Sequence, residues 1–273
     1  MKKSIILPLI FGLIAVLLPA CSKNHNNIMV SNGVFTVGIN INYPPMEYYA
    51  SDGITPIGFD VDLAKALAKE MGLKIEFADT TWENIFYSLE AKKYDCIISS
   101  VTITPDRLNQ FNFSGPYIKN SLVLVMPKSP KRNIKSPLDI AGLSVAYQEG
   151  TTAADYMAVL KRRDVDYTPF EYGKMTQCFD DLHLGRVDAV MTDLVVAHYY
   201  LSDDKYEIVW QGDEEVFGIC FKKSDIALLN IVNKSLDRFF ADGTIVKISK
   251  ENFNGMDLVS AVRVIFYHGC RRF

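Results

Sequence analysis

The sequence lacks a strong excess of either charge: 29 Lys and Arg residues stand against 32 Asp and Glu residues, for a formal net charge of −3. The charges are interspersed, and there is no long basic stripe of the kind that contacts a phosphate backbone, so we expect no nucleic-acid partner. Internal repeats and low-complexity tracts are also absent, which excludes solenoid and collagen-like architectures. With 49% hydrophobic residues over 273 positions, the chain is long enough for one large or two ordinary packed domains.

Cysteine and histidine are scarce, at five and four residues. No histidine falls in an HExxH or HxxxH pattern and no two cysteines have CxxC spacing, so we expect neither a metal nor a cofactor. Cys96, Cys178, Cys220 and Cys270 lie in or beside apolar sequence, which favours buried, unreactive thiols. Whether two of them pair in an exported protein stays open.

Only one apolar run is long, and it lies at the N-terminus. After a short basic start, residues 5–18 form an apolar run of 14 residues broken only by Pro8 and Gly12, which is short for a membrane span. This pattern predicts an export signal over residues 1–20. The next residues, Leu-Pro-Ala-Cys at 18–21, resemble the bacterial lipobox, so we expect Cys21 to carry the lipid anchor and residues 21–33 to form a linker. A buried N-terminal helix is the alternative, which the two helix breakers disfavour.

Downstream, hydrophobic periodicity predicts two successive units of alternating strands and helices. The first has strands at 34–39, 74–77 and 96–98 with helices at 60–71 and from 82; the second has strands at 143–147 and 187–191 with helices near 152–162 and 175–184. Such a rhythm indicates mostly parallel sheets with right-handed crossovers. Two further segments, 121–126 and 211–217, are candidate crossings, so we expect two lobes joined by paired hinges.

Two helix starts carry local signals. Thr80 and Glu83 have the spacing of a capping box at the start of the helix that contains Trp82. Thr104 before a proline predicts a capped short helix. That helix places Arg107 one turn in, where its planar guanidinium can bind a carboxylate bidentately.

Polar residues follow four predicted strands, at the sheet edge where α/β proteins bind ligands. Ser99, Ser100 and Thr102 offer hydroxyl groups near the predicted arginine, and Thr151 and Thr152 begin a helix whose free N–H groups favour an anion. In the second unit Asp193 follows a buried strand and can accept hydrogen bonds from an ammonium group.

An arginine on one lobe and an aspartate on the other complement a zwitterion such as an α-amino acid. Each residue also has a plainer explanation when taken alone: Arg107 as a surface charge, and Asp193 as a helix cap. The combination at matching strand ends favours a binding site.

Seven segments resemble the successive motifs of family 3 solute-binding proteins, the amino-acid receptors of ABC importers. They are YPPME at 43–47, GFDVDLA at 58–64, KYDCII at 93–98, TITPDR at 102–107, FSGPY at 113–117, GRVDAVMTD at 185–193 and ADGT at 241–244. The resemblance implies an α/β, two-lobed periplasmic-binding-protein-like fold of type II, in which two hinge strands join two mostly parallel sheets flanked by helices. It places residues 34–124 and 214–256 in the first lobe and 125–213 in the second.

The same resemblance implies roles for individual residues. Arg107 matches the clamp for the α-carboxylate and Asp193 the acceptor of the α-amino group, assisted by the hydroxyl residues named above. Tyr43 and Trp82 match positions that flank the ligand side chain. Asn40 stands where some receptors for cationic amino acids have an acid, while Glu47 and the aromatic pair still allow a cation. We expect a polar or basic amino acid.

Three classes of function are compatible with this pattern. The expected one is a monomeric, lipid-anchored receptor on the extracytoplasmic side of the membrane, which delivers a free amino acid to an ABC-type permease and is not an enzyme. A related dehydratase of cyclic amino acids, of the cyclohexadienyl or arogenate type, would need a general acid or base, for which Glu47 and Glu149 are the nearby candidates. A sensor domain would usually be fused to membrane-spanning and output domains.

Residues 257–273 continue beyond the resemblance. Their apolar residues show little helical or alternating period, so we expect an atypical tail without a function, removable without loss of stability.

The Ala-Cys junction at position 21 generates a first prediction. We expect Cys21→Ala to release soluble protein or uncleaved precursor, because the acceptor of the lipid is removed. Membrane fractionation with a labelled fatty acid measures this. A processed, lipid-labelled mutant in the membrane fraction would contradict the assignment.

Overall fold

The computed structural model describes residues 28–129 and 133–262, so the predicted signal, Cys21 and Cys270 lie outside the described residues. The strands are β1 (Val34–Ile39), β2 (Tyr48–Tyr49), β3 (Pro56–Ile57), β4 (Lys74–Asp79), β5 (Cys96–Ile97), β6 (Phe111–Phe113), β7 (Ile118–Pro127), β8 (Ser144–Gln148), β9 (Thr168–Tyr172), β10 (Ala189–Asp193), β11 (Tyr206–Phe217) and β12 (Cys220–Lys222). The helices are α1 (Phe59–Met71), α2 (Trp82–Glu90), α3 (Pro105–Gln110), α4 (Thr152–Arg162), α5 (Met175–His183), α6 (Leu194–Tyr200), α7 (Ile226–Asp242) and α8 (Thr244–Asn252). Within these ranges no helix is long and apolar enough to cross a membrane.

The first lobe is built on a sheet with the strand order β4-β1-β5-β12-β6. Its β1 pairs in parallel with β4 and β5, because the connecting helices α1 and α2 return the chain to the same end of the sheet. The late strand β12 pairs antiparallel with both β5 and β6, and α8 packs against α1. The first lobe is therefore completed by the C-terminal part of the chain.

The second lobe is built on a sheet with the order β11-β7-β10-β8-β9. Its β8 pairs in parallel with β9 and β10, whereas the long strands β7 and β11 run antiparallel to each other. These two strands connect the sheets, and the two-lobed α/β fold expected from the sequence is confirmed. β7 pairs with β10 through Leu122–Val125 and with β11 along most of its length.

The two predicted helix starts differ in outcome. Thr104 caps α3 as predicted, and its hydroxyl oxygen accepts a hydrogen bond from the backbone N–H of Arg107 at 3.2 Å. The capping box at Thr80 is wrong, because Thr81 occupies the cap position and the Thr80 hydroxyl donates to the carbonyl of Ala78 at 3.2 Å. With the cap one residue later, the glutamate falls one position short of the spacing that a capping box requires.

Gly58 joins the loop after β1 to the start of α1. It adopts a φ of 122°, and a Cβ atom at this position would lie 2.3 Å from the carbonyl oxygen of Met46. Only glycine fits so close to the neighbouring backbone, and that approach holds residues 43–47 against α1. The residues of this loop thereby acquire a fixed position beside the sheet edge.

The three cysteines within the described part of the chain, Cys96, Cys178 and Cys220, are free and buried. Burial raises the pKa of each thiol, so none is a thiolate at neutral pH. The expectation of unreactive thiols is confirmed for these three.

The start of the tail differs from its prediction. Asp257 caps a helical turn by accepting hydrogen bonds from the backbone N–H groups of Val259 and Ser260, at 3.1 and 2.9 Å. The turn buries Val259 completely in the core that also contains Phe253. Residues 257–262 are therefore part of the packed structure, since a single capped turn can bury two side chains without the longer periodicity that sequence patterns detect.

We expect Val259→Ala to lower the free energy of unfolding by about 1–3 kcal/mol, because it removes buried methyl groups from a packed core. Chemical denaturation measures the change. Met256→Ala is the matched control, since Met256 is 39% exposed and should change stability by less than about 0.5 kcal/mol. Equal stability of the Val259 variant and the wild type would show that this turn adds nothing to the core.

Candidate ligand-binding site

A single cavity between the two lobes collects the predicted site residues. The first lobe contributes residues from the ends of β1 and β5 and from the starts of α2 and α3, and the second lobe contributes the ends of β8 and β10 and the start of α4. All eleven residues predicted from the sequence line it: Asn40, Tyr43, Glu47, Trp82, Ser99, Ser100, Thr102, Arg107, Thr151, Thr152 and Asp193. Gln148 also lines the cavity, which the sequence did not single out.

Arg107 lies on α3 in the first lobe, with its guanidinium beside two aromatic rings. The guanidinium carbon is 5.6 Å from the ring centre of Trp82 and 5.3 Å from that of Phe86, and one N–H group donates to the carbonyl of Thr102 at 3.0 Å. No carboxylate within residues 28–129 and 133–262 lies within ion-pair distance. Burial lowers the pKa of Arg107, yet an arginine stays charged at any physiological pH.

Asp193 ends β10 in the second lobe and is buried, whereas Arg107 is half-buried. Its two carboxylate oxygens accept hydrogen bonds from the Tyr43 hydroxyl and the Asn120 amide, each at 2.5 Å. Burial raises the pKa of Asp193 to about 6, although these two hydrogen bonds and the charge of Arg107 act in the opposite direction. The carboxyl group is thus largely ionised at pH 7, and it makes no helix-capping bond.

A second acidic centre lies on the first-lobe side, where Glu47 and Asp60 are both buried. Ser99 donates its hydroxyl to Glu47 at 2.7 Å, and the backbone N–H of Ser100 donates to Asp60 at 2.6 Å. Burial raises the pKa of Glu47 well above its usual range, assisted by the charge of Asp60, and burial raises the pKa of Asp60 to about 6. The pair therefore retains a proton near neutral pH.

Ser100 itself has a backbone φ of 51°, in the left-handed region that non-glycine residues rarely adopt. The short hydrogen bond from its N–H group to Asp60 holds the backbone in this conformation. Strained residues of this kind concentrate at ligand sites, and this one turns the chain between β5 and Thr102 along the cavity wall.

Several hydrogen bonds join the lobes directly across the cleft. Trp82 donates its indole N–H to the carbonyl of Gly150 at 2.9 Å, and Gln148 donates to the side-chain oxygen of Asn40 at 3.2 Å. The bond from Tyr43 to Asp193 is a third. The lobes are therefore in contact around the cavity, and the aromatic residues take part in that contact.

Glu215, on β11, is a further residue at this cleft that sequence reasoning missed. Its carboxylate lies 3.5 Å from the Thr102 hydroxyl and 3.4 Å from the Thr152 hydroxyl. No short sequence pattern marks Glu215 as a site residue, because the pattern of β11 predicts only a connecting strand. Gln148 could have been found, since it directly follows a predicted strand and precedes the glycine-threonine turn.

The arrangement suits an organic ion with two opposite charges better than a metal. Arg107 and Asp193 approach the cavity from different lobes, and hydroxyl groups lie beside each. Over the described residues there is no group of three or more His, Cys, Asp or Glu side chains that could hold a metal ion.

Comparison with known proteins gives a consistent result. The family described as "Bacterial extracellular solute-binding proteins, family 3" matches residues 35–255. The ABC transporter arginine-binding protein 1 of Escherichia coli K12 is 32% identical over 223 residues, covering 79% of this chain and 89% of that protein.

Two solved structures are similar along most of their length. An ancestral arginine-binding protein bound to arginine superposes with a TM-score of 0.77 at 34% identity, covering 81% of this chain and 99% of that one. The ancestral amino acid-binding protein AncCDT-1, a precursor of cyclohexadienyl dehydratase, gives 0.76 at 34% identity, with coverage of 81% and 96%. The chain belongs to the bacterial extracellular solute-binding proteins of family 3.

Proposed function

We propose that this protein is an extracytoplasmic receptor that binds a free amino acid between its lobes and delivers it to an ABC-type permease. The observation that carries the proposal is the pair of opposite charges, Arg107 and Asp193, which reach one cavity from different lobes and have no ion-pair partner among the described residues. A zwitterionic ligand would neutralise both charges and link the lobes, so binding would favour the closed form.

The α-carboxylate would bind to Arg107, whose guanidinium can form two parallel hydrogen bonds with it. Thr102 and the start of α4 complete this end of the site. Thr151 caps α4 through a hydrogen bond from Ala154 at 3.3 Å, and the first N–H groups of this eleven-residue helix favour an anion.

The α-ammonium group would bind to Asp193, with hydroxyl help from Ser99 or Ser100. Because the pKa of Asp193 is about 6, the carboxylate is available as an acceptor at neutral pH and is lost as the pH falls below that value. The Tyr43 hydroxyl and the Asn120 amide hold it in place from the other side.

The ligand side chain would extend between Tyr43 and Trp82 toward Asn40, Gln148 and Glu47, all of which line the cavity. Amide and carboxyl oxygens accept hydrogen bonds from N–H groups, and aromatic faces attract cations. A polar or basic side chain fits this lining, and the similarity to arginine-binding relatives supports the same range.

A dehydratase is the second candidate, favoured by the similarity to AncCDT-1 and by the buried Glu47, whose raised pKa would suit a general acid. The other candidate acid, Glu149, does not line the cavity. Glu47 is already engaged by Ser99, Ser100 and Asp60, which is better explained by a structural carboxyl pair. We therefore favour a receptor without catalytic activity, held at the membrane by the lipid on Cys21.

The receptor and the enzyme are separated by one panel, which contains the twenty standard amino acids and the cyclic amino acid arogenate. We expect at least one polar or basic member of the twenty standard amino acids to raise the melting temperature, since a ligand at 100 times its Kd stabilises by about 2.7 kcal/mol. Chromatography of the same mixtures should show the amino acid unchanged. Turnover of a cyclic amino acid would favour the dehydratase, and the absence of any thermal shift would contradict both.

The zwitterion site is tested by single substitutions. Removal of one partner of a buried charge pair costs on the order of 2–5 kcal/mol, so Arg107→Ala and Asp193→Ala should weaken binding by roughly 30-fold to several thousand-fold. Arg107→Lys should not restore affinity fully, because an ammonium group cannot bind a carboxylate bidentately. Isothermal titration calorimetry measures these affinities.

Arg186→Ala is the matched control for this series. Arg186 is exposed, lies outside the cavity and pairs with Asp181 at 3.0 Å, so its loss should leave the affinity unchanged. An affinity within about threefold of wild type for either alanine variant at the site would remove that residue from the proposed contacts.

A further inference from the structure

Glu215 lies at the junction of the two lobes and the cavity. It is on the connecting strand β11, opposite Asn120 of β7, and is half-buried. Its Oε2 atom lies 3.5 Å from the hydroxyl oxygen of Thr102 on the first lobe and 3.4 Å from that of Thr152 on the second. These hydroxyl groups line the end of the cavity where Arg107 lies, so the Glu215 carboxyl group borders the space assigned to the α-carboxylate.

The charges around Glu215 come from every element that faces it. Arg107 of α3 attracts the Glu215 carboxylate, whereas Asp193 of β10 repels it. Asp155 of α4 attracts Arg107. On β11 itself, the neighbouring Glu214 is exposed and pairs with Lys119 of β7 at 2.9 Å. The nearby negative charge of Asp193 therefore opposes a second carboxylate at this position.

We propose that Glu215 takes up one proton when the amino acid binds, and that the resulting neutral carboxyl group donates a hydrogen bond to the ligand's α-carboxylate. The inference rests on the proposed amino-acid site. A ligand carboxylate held by Arg107, Thr102 and the start of α4 would lie beside Oε2 of Glu215. Two carboxylates in such proximity are stable when they share a proton, which the solvent supplies.

The sign of the pH dependence follows from this coupling. Burial raises the pKa of Glu215 to about 7, with a further contribution from Asp193, and a bound carboxylate would raise that pKa again. Below pH 7 the group is already protonated and binding requires no uptake. Above pH 7 each binding event must bring a proton, so the affinity falls by up to about tenfold per pH unit.

At lower pH, protonation of another residue, Asp193, lowers the affinity for the amino acid. Asp193 accepts the ammonium group only as a carboxylate, so its protonation below about pH 6 weakens binding. We therefore expect the highest affinity between these two transitions.

Glu215→Gln is the decisive variant, because its amide donates a hydrogen bond at any pH without titrating. Affinities are measured by calorimetry at pH 6.5 and 8.5, with the standard amino acid that gives the largest thermal shift in the panel above. The wild-type Kd should rise by about tenfold or more over this interval, and that of the variant by less than about threefold. At pH 8.5 the variant should therefore bind more tightly than the wild type.

Proton uptake provides an independent readout. Titrations at pH 8 in two buffers of different ionisation enthalpy should show uptake in the wild type that exceeds that of Glu215→Gln by a large fraction of one proton. The titration of Glu47 and Asp60 is common to both proteins and cancels in the difference. Glu214→Gln is the control, since it removes the adjacent acid that pairs with Lys119, and it should behave as the wild type does.

Glu215→Ala provides a second variant that removes both the titration and the hydrogen bond. It should bind more weakly than Glu215→Gln at both pH values and show no steeper pH dependence than Glu215→Gln. If both variants retain the wild-type pH dependence and proton uptake, the inference is overturned while the receptor function stands. If no amino acid of the panel binds the wild type, the proposed function fails and this inference fails with it.

Discussion

Two opposite charges on separate lobes, the half-buried Arg107 and the buried Asp193, are the constraint on which the cleft depends. Removing an ion from water costs several kcal/mol, and neither Arg107 nor Asp193 recovers that cost through an ion pair within the described part of the chain. Other contacts recover part of this cost. The Thr102 carbonyl and the rings of Trp82 and Phe86 stabilise the arginine. The Tyr43 hydroxyl and the Asn120 amide stabilise the aspartate. These hydrogen bonds and ring contacts hold the two charges in place at the cavity wall.

The acids of the cleft outnumber its cations, and burial limits how many can ionise together. Glu47 and Asp60 form one coupled pair, while Asp193 and Glu215 form a second group around Arg107. Each of these carboxyl groups has a raised pKa, chiefly because burial disfavours its charged form; the charge of Asp60 adds to the rise at Glu47, and that of Asp193 to the rise at Glu215. The charge of the cleft is therefore adjustable by one or two protons, and a cation beside Glu47 would favour its ionised form.

The local parts of this site were predictable from the sequence, and the non-local parts were not. A threonine before a proline signals a helix start in any fold, so the position of Arg107 on α3 followed from the four residues 104–107. Strand ends likewise predicted which residues meet at the sheet edge. Glu215 reaches the cleft only because β11 pairs with β7 over nearly its whole length, and no short pattern encodes that pairing. Val259 was not predicted to be buried, because the two buried valines of a single turn are too few to show a period.

The strand order of the first sheet bears on how the protein is made. Between β5 and β6 lies β12, which the ribosome adds more than a hundred residues after β6, whereas β6 has no other neighbour in its sheet. The second sheet draws all five of its strands from one continuous stretch, Ile118 to Phe217. A chain that emerges from its N-terminus can thus assemble the second sheet while the first still has a gap at its centre. The segment that fills the gap, Cys220–Lys222, directly follows the last strand of the completed sheet.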